Sequence, residues 1–108
     1  MTKVFAQPAD GKVTQLDGST RRVVLDLPEL MLVEFIFETG GVGALHSHPH
    51  VQSSYIAAGV FDVTIDGVTE RISAGGAYIV PSGLVHGVVA IEAGTLIDSF
   101  TPRRGDFL

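Results

Sequence analysis

Four histidines are the residues of this chain whose types and spacing best suit metal chemistry. Three lie in the segment His46-Ser47-His48-Pro49-His50, and the fourth, His86, lies far along the chain. On a strand, His46 and His48 project to the same face because side chains two residues apart share a face. His50 follows a proline and need not continue this alternation, so we expect it at a pocket rim or on the surface.

Gln52 and the absence of cysteine limit the kinds of side chain that can bind a metal. Gln52 lies four residues after His48, at the start of the next predicted strand, where its oxygen could reach the same point. The chain contains no cysteine, so imidazole, amide and carboxylate are the available ligands. Imidazoles around an inward-facing pocket suit one divalent transition-metal ion, such as Ni, Zn, Fe, Mn or Co. A lone His-x-His pair is often an ordinary surface or core pair, and this alternative stays open for the pair taken by itself.

Short segments rich in β-branched residues would position these side chains. Glycine, proline, aspartate and serine separate these segments, and no window of helical length has a 3.6-residue apolar period. The predicted strands are 23–27, 31–38, 54–58, 60–65, 77–80, 86–91 and 95–101. Asp66-Gly67 predicts a hairpin between residues 61–65 and 68–72. Tyr55 and Tyr78 could line the pocket, although aromatic residues of strands lie more often in the core. The pattern predicts an all-β sandwich or barrel.

Composition sets the organisation and excludes several classes of partner. The 108 residues suit one domain, which we divide into an N-terminal arm or edge strand, 1–20, and a β-barrel, 21–108. The formal charge is −5, without a basic stripe, so neither nucleic acid nor an anionic membrane is an expected partner. No apolar run approaches the roughly 20 residues of a membrane span, and no secretory signal is recognisable. We therefore expect a cytoplasmic protein.

The spacing of the histidines, glycines and one proline resembles the two sequence motifs of the cupin superfamily. Residues 40–59 read G-x5-H-x-H-x3-Q-x6-G, which resembles the first motif with glutamine in the usual glutamate place. Residues 75–86 read G-x5-P-x-G-x2-H, which resembles the second, and the 15 residues between the motifs fit the shortest spacing of the superfamily. The resemblance implies a single-domain cupin, a double-stranded β-helix or jelly-roll barrel, that forms a homodimer. It also implies the metal ligands His46, His48, Gln52 and His86.

The last predicted strand carries an acid in an unexpected place. Leu96, Asp98 and Phe100 share one face of the strand. A carboxylate between apolar side chains is unfavourable in a core unless it faces a wet pocket or a partner. An Asp–Arg pair that ties down the chain end explains it equally well. Arg103-Arg104 near a pocket suggest a small anionic ligand, whereas we expect Arg21-Arg22 to be a solvated surface pair.

The end of the chain adds a narrower resemblance. Residues 98–108 read Asp-x-Phe-Thr-Pro-x-Arg-x-Asp-Phe-Leu, and with His-Pro-His after the metal pair they resemble the KdgF-type pectin-degradation cupins over residues 31–108. The resemblance implies metal-dependent ring opening and tautomerisation of 4,5-unsaturated uronates to linear keto-uronates in pectin or alginate breakdown. It also implies that Asp98, Phe100 and Arg104 line the substrate pocket. Asp98 would then shuttle protons, Arg104 would bind the substrate carboxylate through two hydrogen bonds, and Phe100 would pack on the sugar.

Two further functions stay open beside this one. Three histidines and a glutamine are neutral, so a bound ion keeps its double charge, which favours Lewis-acid chemistry on a small anionic sugar acid. A small cupin dioxygenase that cleaves a diketone or an enol is the first alternative, because neutral ligand sets also suit oxygenases. The second is a cupin that binds a sugar acid without catalysis.

Overall fold

The computed structural model describes residues 2–108 as an all-β chain, which confirms the predicted fold class. Within residues 2–108, eight strands precede one short 3₁₀ helix, η1, at Gly105–Phe107. The strands are β1 (Lys12–Leu16), β2 (Ser19–Leu27), β3 (Leu30–Phe37), β4 (Val42–His46), β5 (Val51–Ile65), β6 (Val68–Ser73), β7 (Ala77–Val80) and β8 (His86–Thr101). The described residues contain no helix long and apolar enough to cross a membrane.

All strands belong to one antiparallel sheet. Its order is β1-β2-β3-β8-β5-β6, and β4 pairs with β8 while β7 pairs with β5. The two longest strands, β5 and β8, pair along nearly their whole length and form the centre of the fold. The first half of β5 pairs with β7 and the second half with β6, so β5 and β8 pass from one wall of the barrel to the other.

Glycines allow these two strands to bend without ending. Gly59 has a φ of +84°, a conformation that glycine adopts without steric cost. Gly94 lies against the backbone of Ala58, where a Cβ atom would overlap the carbonyl oxygen. The register between β5 and β8 shifts between Ile56 and Phe61, as expected of a bulge that bends a strand.

Most predicted strands are confirmed, but two of the predicted breaks between strands are wrong. The predicted strands 54–58 and 60–65 are halves of β5, and 86–91 and 95–101 are halves of β8. Glycine marks bends in these strands, whereas the prediction treated it as the end of a strand. The predicted hairpin is confirmed, because Asp66 and Gly67 both have positive φ and join Ile65 to Val68.

The N-terminal part is continuous with the barrel sheet. β1 pairs with β2 at one edge of the sheet, and the division proposed between residues 20 and 21 falls within β2. Met1 lies outside the described residues. The division into 1–20 and 21–108 stays a prediction.

Two apolar clusters fill the barrel, and the second supports one end of the polar pocket described below. The first contains Phe37, Ile56, Phe61, Val63, Ala90 and Leu96. The second contains Val23, Met31, Val33, Phe100 and Phe107. Phe107 comes from η1, so the end of the chain packs into the core.

Candidate metal centre

Two strand ends bring three histidines together. His46 ends β4, His86 begins β8, and the two residues are paired across the strands. His48 follows β4 in the loop that leads to β5. One ring nitrogen from each histidine lies within 4.8 Å of those of the other two. The predicted histidine cluster is therefore confirmed, with His48 and His86 buried and His46 exposed.

Backbone carbonyl groups orient all three rings in the same way. The Nδ1 atom of each ring donates to the carbonyl oxygen of a nearby residue, at 2.8 Å from His46 to Ala44, 3.1 Å from His48 to His50 and 2.9 Å from His86 to Leu84. In a neutral imidazole this leaves the lone pair on Nε2. Such hydrogen bonds orient metal-binding histidines. The Nε2 atom of His86 is buried and has no hydrogen-bond partner.

Gln52 brings a second acceptor to the same point. Its Nε2 atom donates to Ser54 Oγ at 3.0 Å, which orients the amide so that Oε1 lies 3.1 Å from His48 Nε2. Burial lowers the pKa of His48, and the charge of Arg104 adds to this effect, so the ring is neutral near pH 7. With its proton on Nδ1, His48 presents a lone pair to another lone pair. A cation between the two atoms would remove this repulsion, so the donor set fits a divalent metal ion.

A cavity of about 220 Å³ opens beside these ligands. His46, Gln52 and His86 line it, and so do Asp98, Phe100 and Arg104. His48 lies behind the lining, 5.8 Å from the ring of Phe100 between ring centroids. The structure thus brings three of the four predicted ligands and all three predicted pocket residues to the lining of one cavity.

Strand pairing explains why Asp98 lies in this cavity. Asp98 on β8 is paired with Ser54 on β5, which is paired in turn with Tyr78 on β7. Asp98 is buried, and its Oδ1 atom has no hydrogen-bond partner. Burial raises the pKa of Asp98 to about 7, although a hydrogen bond with Ser54 and the charge of Arg104 oppose the rise.

Arg104 does not pair with Asp98. Its Nε and Nη2 atoms donate to the two carboxylate oxygens of Asp106 at 3.0 and 2.8 Å. The guanidinium carbon lies 4.3 Å from the ring centroid of Phe107 and 5.3 Å from that of Phe100. Arg103 pairs with Asp26 and Arg104 with Asp106, so the alternative in which Asp98 ties down the chain end through an arginine is wrong. The carboxyl group of Asp98 is left to the cavity.

The family profile for the cupin domain matches residues 33–98, more than half of the chain. The chain belongs to the cupin family. The pectin degradation protein KdgF of Dickeya dadantii (strain 3937) is 42% identical over 94 residues, which cover 85% of this chain and 86% of that protein.

Two solved structures resemble the whole of this cupin. The structure of KdgF from Halomonas sp. matches with a TM-score of 0.92 and 36% identity, and covers 99% of this chain and 100% of that chain. The crystal structure of an RmlC-like cupin from Shewanella frigidimarina NCIMB 400 matches with a TM-score of 0.94 and 35% identity, over 99% and 97% of the two chains.

The prediction that Arg21 is solvated on the surface is wrong. In this cupin Arg21 is half-buried and lines the cavity, and its Nε atom is buried without a hydrogen-bond partner. Strand alternation could have revealed this position, because the buried residues Ser19 and Val23 share its face of β2. Arg22 points the other way and pairs with Glu34 at 3.2 Å.

The two tyrosines differ in their relation to the cupin pocket. Tyr78 lines the cavity, where burial and the charge of Asp98 raise its pKa, whereas Tyr55 is exposed. Tyr78 thus fits both alternatives, because it lines the cavity and packs against the first apolar cluster, whereas neither applies to Tyr55.

His50 is half-buried outside the cavity lining, and its Nε2 atom donates to the carbonyl oxygen of Arg103 at 3.0 Å. His50 thereby fixes the segment that carries Arg104.

Proposed function

We propose that this cupin is a metal-dependent enzyme that opens and tautomerises 4,5-unsaturated uronates to linear keto-uronates in pectin or alginate breakdown. The observation that carries the proposal is the buried carboxyl group of Asp98, whose Oδ1 atom has no hydrogen-bond partner among the described residues, in a cavity beside three convergent histidines. The similarity to the pectin degradation protein KdgF supports the class of substrate.

The reaction is an isomerisation that moves protons and needs no oxidant. A 4,5-unsaturated uronate is an enol ether closed as a cyclic hemiacetal. Loss of the proton from the C1 hydroxyl group breaks the bond between C1 and the ring oxygen, which gives an aldehyde at C1 and an enolate at C5. Protonation of C4 then converts the enolate into a ketone at C5.

Asp98 is the proposed proton shuttle. With a pKa of about 7, its carboxyl group populates both forms at neutral pH, which suits a general acid–base group. As a carboxylate it would take the proton of the C1 hydroxyl group, and as an acid it would return a proton to C4. Ser54, which is paired with Asp98 on the neighbouring strand, lowers the pKa of this carboxyl group and so opposes the effect of burial.

The ligand set would hold one ion of the Ni, Zn, Fe, Mn or Co group on His46, His48, Gln52 and His86. A bound divalent ion supplies Lewis-acid stabilisation of the negative charge that develops on oxygen. Phe100 would provide an apolar surface for the sugar. The proposed role of Arg104 is narrower than the sequence predicted, because its Nε and Nη2 atoms already bind Asp106.

Proton NMR tests the proposed activity. Metal-loaded protein is mixed with unsaturated galacturonate, and we expect the vinyl signal to disappear faster than in buffer. Loss of the signal at the buffer rate would exclude the activity. Asp98→Asn should reduce turnover by about a hundredfold or more, as for other general acid–base groups, and still bind the sugar acid. A variant with full biological activity would instead favour a binding protein without catalysis.

We also propose that the protein is a cytoplasmic homodimer. The apolar side chains of Val4 and Phe5, which precede β1, are 65% and 80% exposed in the single chain. Exposed apolar residues beside an edge strand suit contact with a second copy.

A further inference from the structure

We propose that Arg21 is a substrate-binding residue that receives the carboxylate of the sugar acid. The inference rests on the proposed function for the identity of the ligand, and on the geometry of β2 and η1 for the residue. The sequence alone predicted a surface position for Arg21, so its place in the cavity is known only from the structure.

The first observation is that Arg21 has an unused donor. Its Nε atom is buried without a hydrogen-bond partner, and its side chain lines the cavity that also contains Asp98 and His86. Burial of a hydrogen-bond donor that lacks an acceptor is unfavourable. An anionic ligand in the cavity would supply that acceptor and form a charge-assisted hydrogen bond.

The second observation is that the other arginines already have carboxylate partners. Among the described residues, Arg22 pairs with Glu34, Arg71 with Asp62, Arg103 with Asp26 and Arg104 with Asp106. Arg21 forms no such pair within that range. The charge of Asp106 acts on Arg21, but both of its oxygens bind Arg104.

The third observation is that Phe107 positions two guanidinium groups around one ring. The guanidinium carbons of Arg21 and Arg104 lie 4.1 and 4.3 Å from its ring centroid. Edge-to-face contacts with Phe35 and Phe100 hold that ring in the core. Two cations this close repel each other unless anions compensate them. Asp106 supplies one negative charge, which leaves one positive charge to match a ligand with a single carboxylate.

A comparison of Arg21→Gln with Arg22→Gln tests the inference on the metal-loaded protein. We expect Arg21→Gln to raise the KM for unsaturated galacturonate about tenfold or more, the loss expected for one charge-assisted hydrogen bond, with kcat within about threefold. Arg22→Gln, the neighbour on the opposite face of β2, should leave KM within about twofold. An unchanged KM in Arg21→Gln would overturn the inference and leave the proposed activity in place.

Calorimetric binding of galacturonate and of its methyl ester separates this inference from the proposed activity. We expect the wild type to bind galacturonate more tightly than its methyl ester. In Arg21→Gln the ratio of these two affinities should fall about tenfold, with unchanged affinity for the ester. This result without turnover would support Arg21 and exclude the activity, whereas an unchanged preference would overturn the role of Arg21. If Arg21→Gln does not fold, Arg21→Lys, which keeps the charge but not the planar fork, should lose about threefold of the preference; no loss would contradict the role.

Discussion

The Nε2 atom of His48 and the Oε1 atom of Gln52 face each other 3.1 Å apart. A neutral imidazole carries one N–H, and when His48 donates it from Nδ1 to the carbonyl oxygen of His50, two acceptors meet at this contact. An arrangement of this kind is unfavourable for a protein alone and favourable around a cation. The buried Nε2 atom of His86, which lacks a partner, points to the same conclusion.

Loss of one imidazole should therefore remove the metal and leave the fold intact. We expect His86→Ala to lower the metal content of the purified protein at least severalfold by elemental analysis. Its circular dichroism should match the wild type, because the two apolar clusters lie apart from this side chain. His50→Ala is the matched control, since His50 binds the carbonyl oxygen of Arg103 and should not affect metal content. Full occupancy in His86→Ala would contradict the ligand set.

The buried carboxyl group of Asp98 should make stability depend on pH. Its pKa rises from 3.8 in the unfolded chain to about 7 in the fold, so folding binds a proton between these values. The stabilising contribution is complete below about pH 4 and is lost as the pH rises through 7. Between pH 5 and 8, the free energy of unfolding of metal-free protein should fall by about 2–3 kcal/mol relative to Asp98→Asn.

Urea unfolding of chelator-treated protein at both pH values measures this difference. The pKa values of His48 and His86 are lowered by burial, so these groups make stability rise with pH. Both act equally in wild type and in Asp98→Asn, and the comparison cancels them. Parallel pH profiles for the two proteins would show that Asp98 titrates normally.

The sequence predicted the clustering of the candidate ligands more completely than their surroundings. His46, His48, Gln52 and His86 are separated by spacings that can be read along the chain. The partner of Arg104 could not be predicted this way, because Asp106 binds it through the local geometry of η1 rather than through strand alternation. Arg21 was predictable from alternation along β2, but its charge suggested the surface.

At the scale of elements, the site depends on two strands that bend without breaking. β5 carries Gln52 and Ser54, and β8 carries His86 and Asp98. The sequence predicted the halves of each strand but not their continuity. Glycine ends many strands, so the sequence does not show that β8 continues through Gly94. In the structure Gly94 lets the backbone of β8 come close to that of Ala58 on β5.

A methyl group added at Gly94 should destabilise the barrel. We expect Gly94→Ala to lower the free energy of unfolding by about 1–3 kcal/mol, the usual cost of overpacking, because its Cβ would overlap the carbonyl oxygen of Ala58. Gly105→Ala is the control, since a Cβ there meets nothing within 4 Å. Urea unfolding measures both variants. A Gly94→Ala protein as stable as the control would show that the backbones separate at little cost.

At the scale of the whole molecule, charge is distributed unevenly. The chain carries a formal charge of −5, yet the guanidinium groups of Arg21 and Arg104 both line one cavity. Local positive charge of this kind concentrates small anions in a cleft even when the net charge is negative. The arrangement suits a free sugar acid better than a large acidic polymer, which the remaining negative surface would repel.

The segment that precedes β1 provides the last prediction, which concerns assembly. Phe5 is 80% exposed in the single chain, and burial of such a side chain against a second copy would contribute about 2 kcal/mol. Light scattering of the wild type should give twice the 11.4 kDa mass of one chain, and Phe5→Ser should shift the population toward the monomer at micromolar concentration. Val68→Ser removes an apolar side chain that is 65% exposed at the β5–β6 hairpin and should leave the mass unchanged. A wild-type protein that is monomeric at every concentration would contradict the homodimer, whereas a dimer that Phe5→Ser leaves intact would place its interface elsewhere on the barrel.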